Sequence, residues 1–510
     1  MSNNNFNDFF DEELKKQEAK QNNSANNQDP FGFGAPNNQQ QNNQYQQKHE
    51  QMYRVVPEYN GQQKFIQKSS GGKKGFIIAM IAISMIVVYF LGYISFIFFN
   101  PDMKFIGDVL GLVKDYGYVT EESDDPYAHN LAYQAANAML KSIDKYSRLL
   151  TPEEYYQLLY PQEIPGISNG LSYSVSDDGE YYIAEVEVGS PAYNAGLFMG
   201  DVVKNITITN NSNTDGVSDG SYPVSKDTNI EDFKKYIHST NMYIVVERDG
   251  VVQPAKFVQQ KDFDGTAVEY YFGDTTTNMS LEYKTRLLAG GTWSDDVGYI
   301  RLTSFMDPLT MDGEHGQGDF SKAMALFKNS GKKKLIFDLT YNTGGRDDIC
   351  SLVASYLVHD SNKTDGKGVV ISVDRDKDDN VVGKTTTDSV YQNYFDVNAQ
   401  KPQIVVLTNG NSASASEMLI GAMLDYGTAV QVGTTSYGKG IGQGVIQIRP
   451  ATAVIGGVEY DSYWAAYITY VKFFTPQTNK CMHGIGFAPS ESNVAESFEE
   501  QVSRALQLLA

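Results

Sequence analysis

Apolar side chains recur along this chain at helical, strand and unbroken spacings, and each pattern predicts a different element. Met418, Leu419, Ala422 and Met423 return at helical intervals until Asp425, Tyr426 and Gly427 close the run, and Ser414-Ala415-Ser416-Glu417 ahead of them fits the S-x-x-E capping box. The spacing predicts a helix with Ser414 as its N-cap. Ala429–Val432 then reads as a short buried strand, Gly433–Gly440 as a loop and Ile441–Ile448 as a further strand. Phe498, Val502, Leu506 and Leu509 share one side of a terminal amphipathic helix. Tyr118–Tyr160 reads mainly helical, with Leu131, Ala135 and Leu140 as core candidates, while Asp262–Pro489 alternates strands and helices, which predicts an α/β core.

One apolar run has no period. Phe76–Phe99 is uncharged throughout and, as a helix, long enough to cross a hydrocarbon core of about 30 Å. It starts too far from Met1, and is too long, for a cleaved signal peptide. Lys48, Arg54, Lys64, Lys68, Lys73 and Lys74 precede it and Asp102, Asp108 and Asp115 follow it. The expectation is a single-pass protein of the cell membrane, N-terminus cytoplasmic and the rest extracytoplasmic. Ahead of the run, Asn/Gln-rich sequence with few aliphatics predicts a disordered tail.

Composition narrows the function classes. With 510 residues and 41% hydrophobic positions the chain has room for two globular domains beside non-globular parts. A net charge of −21 disfavours polyanionic partners, so no nucleic acid is expected. The two cysteines, Cys350 and Cys481, allow either one disulfide or two free thiols. The six histidines show no metal-ligand spacing, and no metal or other cofactor is expected.

The candidate chemistry lies in Asn409–Gln443. A serine hydroxyl is a weak nucleophile that needs a base, and a lysine serves if burial disfavours its ammonium form. Lys439, between Gly438 and Gly440, is placed for that, and Gln443, four residues on, could orient the amine. A helix beginning at Ser414 offers backbone N–H groups to an oxyanion. Two other patterns overlap these residues. Gly433–Lys439 matches G-x-x-x-x-G-K, but Gly440 replaces the Ser/Thr of a P-loop and a strand follows. Ser436–Lys439 matches S-x-x-K, but S-D-N and K-T-G are absent.

SASASE, GAMLDYGTAVQVG and TSYGKGIGQ together resemble the carboxyl-terminal processing proteases, also called tail-specific proteases. The resemblance covers most of the chain beyond residue 125, including MLKSIDKYSRLLTPEEY, VGYIRLTSF and LIFDLTYNTGG. It implies Ser414 as nucleophile, Lys439 as base and Gln443 as its orienting partner, with the amide of Ala415 and that of Gly344 or Gly345 holding the oxyanion. Thr340-Tyr341-Asn342-Thr343 departs from the R-G-N-P usual in that family, and HGIGFAPSE matches its G-I-x-P-D loosely. VEVGSPAYNAGLFMGDVV resembles the PDZ signature, and GISNGL (Gly166, Ile167, Gly170, Leu171) stands at the place of a PDZ carboxylate-binding turn. Asn210–Ser221 reads as a surface loop inserted in that module.

The fold class implied is α/β (α+β) and multidomain: a PDZ domain plus a crotonase/ClpP-like protease core, preceded by one transmembrane helix and a disordered tail. The boundaries are 1–75 for the tail, 76–99 for the span, 100–162 for a helical linker, 163–260 for the PDZ domain and 261–510 for the catalytic domain. The linker is expected to pack on the catalytic domain or on a second subunit of a homodimer. The expected function is a membrane-anchored serine endopeptidase that recognises substrate proteins or peptides by their free C-termini. The alternative is a catalytically silent PDZ sensor that signals at the cell surface.

Overall fold

The structure is a computed structural model that describes residues 105–106, 109, 130–160, 168–176, 178–209, 217–263, 265–306, 318–359, 368–387, 402–455 and 457–510. The first elements are helix α1 (Leu131–Lys141), strand β1 (Arg148–Leu150) and helix α2 (Pro152–Leu159). Helix α2 begins at Thr151 with a complete capping box to Glu154 and a proline at its first position.

An antiparallel module follows, built from β2 (Leu171–Val175), β3 (Tyr181–Val186), helix α3 (Pro191–Asn194), β4 (Val202–Ile208), β5 (Gly220–Pro223), helix α4 (Ile230–Ile237), β6 (Asn241–Arg248), β7 (Val251–Val252) and β8 (Lys256–Gln259). Its order is β2-β3-β4-β6-β7, with β5 on β4 and β8 on β6, so β2 is an edge strand. Phe233 of α4 lies 4.8 Å from the Tyr173 ring of β2 and 4.2 Å from Tyr181. The stretch expected as a loop over Asn210–Ser221 ends instead in β5, whose Ser221 pairs with Thr207.

A buried ion pair fastens this module. Arg248 donates from Nε and one amino group to the two Asp201 oxygens at 2.7 Å each, and to Gly196 O at 2.9 Å, with Asp201 only 1% exposed. Its guanidinium also stacks 4.0 Å from the Phe198 ring. Asp201→Ala is expected to cost about 3 kcal/mol or more in denaturant unfolding, because it leaves a buried cation unpaired. A loss below about 1 kcal/mol would show that water reaches the site.

The C-terminal half is governed by alternation of period two. Its elements are β9 (Val268–Tyr271), α5 (Leu281–Ala289), β10 (Val297–Leu302), α6 (Asp319–Asn329), β11 (Lys334–Asp338), α7 (Asp347–Leu357), β12 (Val370–Arg375), β13 (Val381–Thr386), β14 (Gln403–Thr408), α8 (Ala415–Asp425), β15 (Ala429–Gly433), β16 (Ile441–Ile455), β17 (Val458–Phe474) and α9 (Phe498–Leu509). One sheet runs β15-β14-β11-β10-β9, parallel except for β9. Leu335, Phe337, Ile404 and Val406 point to α6, α7 and α8, whereas Ile336, Val405 and Leu407 point to α5 and α9. Both faces are covered, as a mostly parallel sheet requires.

The second sheet is β1-β17-β12-β13 with β16 on β17, and β16 follows the loop that carries Lys439. The sequence ended β16 at Ile448, but the strand continues to Ile455, turns, and returns as β17. Strand β1 adds to β17 with Leu149 opposite Ala466, and Tyr155 packs edge-on to Tyr463. That anchorage carries the turn before β1 to the face that holds Lys439.

The membrane expectation is corrected. Among the described residues no helix is long and apolar enough to cross a membrane. The longest of them, α9, has 12 residues, or about 18 Å at about 1.5 Å per residue, against a core of about 30 Å. Phe76–Phe99 and the tail before it lie outside the described residues. The transmembrane part of the expected fold class, the membrane as partner, the anchored form of the function and the single-pass extracytoplasmic location are therefore not carried forward.

Candidate active site

Helix α8 starts where the capping pattern places it, but Ser414 is more than a cap. Its φ of 58° and ψ of −117° put a non-glycine residue in a strained left-handed conformation at the helix mouth. The side chain makes no cap hydrogen bond and is only partly buried. The turn that imposes this geometry is tied on both sides. Ser412 Oγ donates to Leu339 O at 2.8 Å, Ala413 N donates to Asn342 O at 3.0 Å, and Ser416 Oγ donates to the same carbonyl at 2.8 Å.

Asn342 organises the glycine pair beside it. Its amide donates to Leu302 O at 2.9 Å, and its Oδ1 accepts the N–H of Gly344 at 2.9 Å. The Gly344 amide is thus already used. Among the described residues the amides of Gly345 and Ala415 carry no such acceptor. Only glycine fits at 344, with φ of 103°: a Cβ there would lie 2.7 Å from Ser414 Cβ and 2.9 Å from Ala415 N. Tyr341, where the sequence departs from R-G-N-P, also has a left-handed φ of 61° and donates its N–H to Asn409 Oδ1 at 2.9 Å.

Glu417 joins the serine to the lysine. Oε2 accepts from Ser414 N at 3.1 Å and from Lys439 N at 2.6 Å; Oε1 accepts from Gly438 N at 2.7 Å and Ser436 Oγ at 2.6 Å. The residue is fully buried. Burial pushes its carboxyl above the usual range, against the four hydrogen bonds that hold it down. The S-x-x-E pattern located Glu417, but only as half of a capping box; its reach to the lysine loop joins segments that are remote along the chain.

Lys439 is partly buried, and desolvation holds its ammonium below the usual lysine range. Tyr437, Asp144 and Glu417 oppose that shift and Lys145 reinforces it. The Nζ lies 4.7 Å from the centroid of the Tyr146 ring. Gln443 is nearby on β16, but its amide donates to Thr469 Oγ1 at 2.8 Å, and Thr469 N donates in turn to Ser147 Oγ at 3.1 Å. Tyr146 and Thr469 were not singled out in the sequence, since no local pattern marks them, and Asn342 was given no role although it keeps the asparagine of R-G-N-P.

The remaining expected positions are divided. Gly166 and Ile167 lie outside the described residues. Gly170 has a φ of 74° and donates its N–H to Ser168 Oγ at 3.0 Å, while Leu171, the first residue of β2, donates to Asn169 Oδ1 at 3.1 Å. Cys350 and Cys481 are both free thiols; buried Cys350 donates to Ala415 O at 3.2 Å.

Residues 296–492, which contain Ser414, Glu417, Lys439 and Asn342, match the model of Peptidase family S41. Residues 296–492 form a serine peptidase domain of family S41. The S41 peptidase is 24% identical to the Carboxy-terminal-processing protease of Bartonella bacilliformis over 75% of this chain and 73% of the relative. It is 23% identical to the "Probable CtpA-like serine protease" of Staphylococcus aureus strain COL over 82% of this chain and 72% of the relative. Among solved structures, the photosystem II D1 C-terminal processing protease aligns with 77% of this chain and 89% of its own, at 18% identity and a TM-score of 0.45. The S41 peptidase is a serine-type endopeptidase, and a silent sensor is not retained.

Proposed function

We propose that this S41 peptidase cuts protein substrates that it selects by their free C-termini, with Ser414 as nucleophile and Lys439 as general base. Residues 163–260 act as a PDZ domain, residues 261–510 as the catalytic domain and residues 100–162 as a helical linker. The observation that carries the catalytic reading is the single Glu417 oxygen shared by the main-chain N–H groups of Ser414 and Lys439. It fixes a nucleophile and a desolvated amine to one buried point.

In this reading Ser414 Oγ attacks the scissile carbonyl as its proton passes to Lys439 Nζ. The oxyanion forms against the amides of Ala415 and Gly345, Gly344 being committed to Asn342. Lys439 then returns the proton to the leaving amine, and water repeats the sequence on the acyl-enzyme. Gln443 acts through Thr469 and Ser147 on the turn that faces Lys439, rather than on the amine directly.

Tail selection is supported by the free edge of β2 with α4 beside it, a place where an extended peptide can add as a strand. Gly166, Ile167, Gly170 and Leu171 form the proposed carboxylate turn. To reach the last two amides the carboxylate displaces Ser168 Oγ and Asn169 Oδ1. The relative named a carboxy-terminal-processing protease agrees with this choice of substrate end.

The test compares one unfolded protein substrate with a free or an amidated C-terminus. Amidation is expected to lower kcat/KM by about tenfold or more, the size of a lost charge-assisted hydrogen bond. Equal rates on the two substrates, with Ser414→Ala inactive on both, would leave the peptidase reading standing and remove tail selection.

A further inference from the structure

The turn between α1 and β1 is 290 residues from Lys439 along the chain, roughly, yet it forms one wall around the amine. Asp144 Oδ1 builds the turn by accepting the N–H groups of Tyr146 at 2.8 Å and Ser147 at 2.7 Å. Against a burial cost, these bonds and one from Thr469 hold the Asp144 carboxyl below its usual range. Ser147 Oγ then accepts Thr469 N, which fastens the turn to β17. The result is an aromatic ring whose face, rather than an acceptor oxygen, meets Nζ.

We propose that Tyr146 is a positioning residue for the hydrolytic reaction: its ring face holds the ammonium that Lys439 becomes on taking the Ser414 proton. This rests on the reading of Lys439 as base. In that step the Ser414 O–H bond breaks, an N–H bond forms on Nζ, and the serine oxygen bonds to the scissile carbon as the carbonyl electron pair moves onto its oxygen. A neutral amine gains little from the ring, whereas the ammonium is attracted by its negative face, so the contact strengthens as the charge develops. The hydroxyl of Tyr146 is pushed up to about 12 by burial and by Tyr437, so the ring stays a neutral phenol in the working range.

The other groups around Nζ do different work. Tyr437 on the same loop accepts a hydrogen bond from Lys145 at 2.7 Å, and Lys145 lies 5.2 Å from the centroids of both tyrosine rings. Glu417 comes from α8 with its oxygens committed to backbone and Ser436, and Asp144 is committed to its own turn. His483 comes from the turn that packs on Gly438 and Gly440, and burial lowers its basicity. Among the described residues Tyr146 is the aromatic ring over which the Lys439 amine lies, and the ring carries no formal charge.

The test is the pH profile of kcat/KM for the full 510-residue chain with Tyr146→Phe, Tyr146→Leu and a series of increasingly fluorinated phenylalanines at 146. Fluorination weakens the negative face without changing the shape, which keeps the test independent of folding. Phe is expected to stay within about twofold of the native rate. Leu and the heavily fluorinated rings are expected to lower the plateau by about tenfold, the size of a desolvated cation–π contact, and to move the acid limb to lower pH. A flat fluorine series, or lost activity with the limb unmoved, overturns the proposal. Lys439→Ala distinguishes the two failures: full activity in that variant removes the base reading itself, whereas an inactive Lys439→Ala beside a flat fluorine series removes only the role of Tyr146.

Discussion

Ser414→Ala and Lys439→Ala are each expected to lower kcat by about 10⁴-fold or more, with KM changed far less. The double variant is expected to be little worse than either single one, because a nucleophile without its base and a base without its nucleophile fail at the same step. The check is cleavage of an unfolded protein by variants whose thermal unfolding matches or exceeds that of the native chain. Additive losses would mean that the two side chains act in different steps.

The same pair makes a prediction about pH. Because burial lowers Lys439, the neutral amine is available below the value of about 10.4 for a free lysine, and kcat/KM should rise with pH along a limb set by Lys439. The stability consequence has the opposite emphasis. The unfolded chain binds the proton more tightly than the folded one, so stability is reduced below the folded value and recovers as pH rises through it. Lys439→Met is therefore expected to be inactive yet about 1 kcal/mol more stable at neutral pH.

Much of this site could be read from the chain, and what could be read was local. The α8 boundaries follow from Met418, Leu419, Ala422 and Met423 and from the stop at Tyr426-Gly427, and β15 follows from the apolar run that comes next. Strand β16 was legible only to Ile448, because Ile448–Pro450 is exposed and the pairing shifts register between Gln447 and Arg449, which breaks the alternation. Asn342 takes the Gly344 amide within its own turn, two residues away, but its ties to Leu302 O, Ala413 N and Ser416 Oγ come from segments far along the chain and leave no mark on its own. Tyr146 was hidden because Lys439 and Tyr437, which meet its ring and hydroxyl, come from the loop ahead of β16, and the local turn that Asp144 builds gains its place only where Ser147 is fastened to β17.

Glu417→Gln is expected to cost about 2–3 kcal/mol in unfolding free energy and about 10²-fold in kcat, with KM much less affected. An amide keeps the size of the side chain but has one oxygen where the carboxyl has two. Placed to accept from Ser414 N and Lys439 N, it turns its NH2 toward Gly438 N and leaves a buried N–H facing another donor. Placed the other way, it serves Gly438 and Ser436 and abandons both dyad backbones. Either way the serine and the lysine lose their shared reference point, and an error of about 1 Å between reacting groups is enough for a loss of that order. Both carboxyl oxygens offer lone pairs to the three main-chain donors, which no amide supplies. The check is steady-state kinetics beside denaturant unfolding of Glu417→Gln. A variant as active as the native enzyme would mean that the Asn342 contacts and the helix N-terminus hold Ser414 unaided, and that the bridge to Lys439 serves only to close the loop.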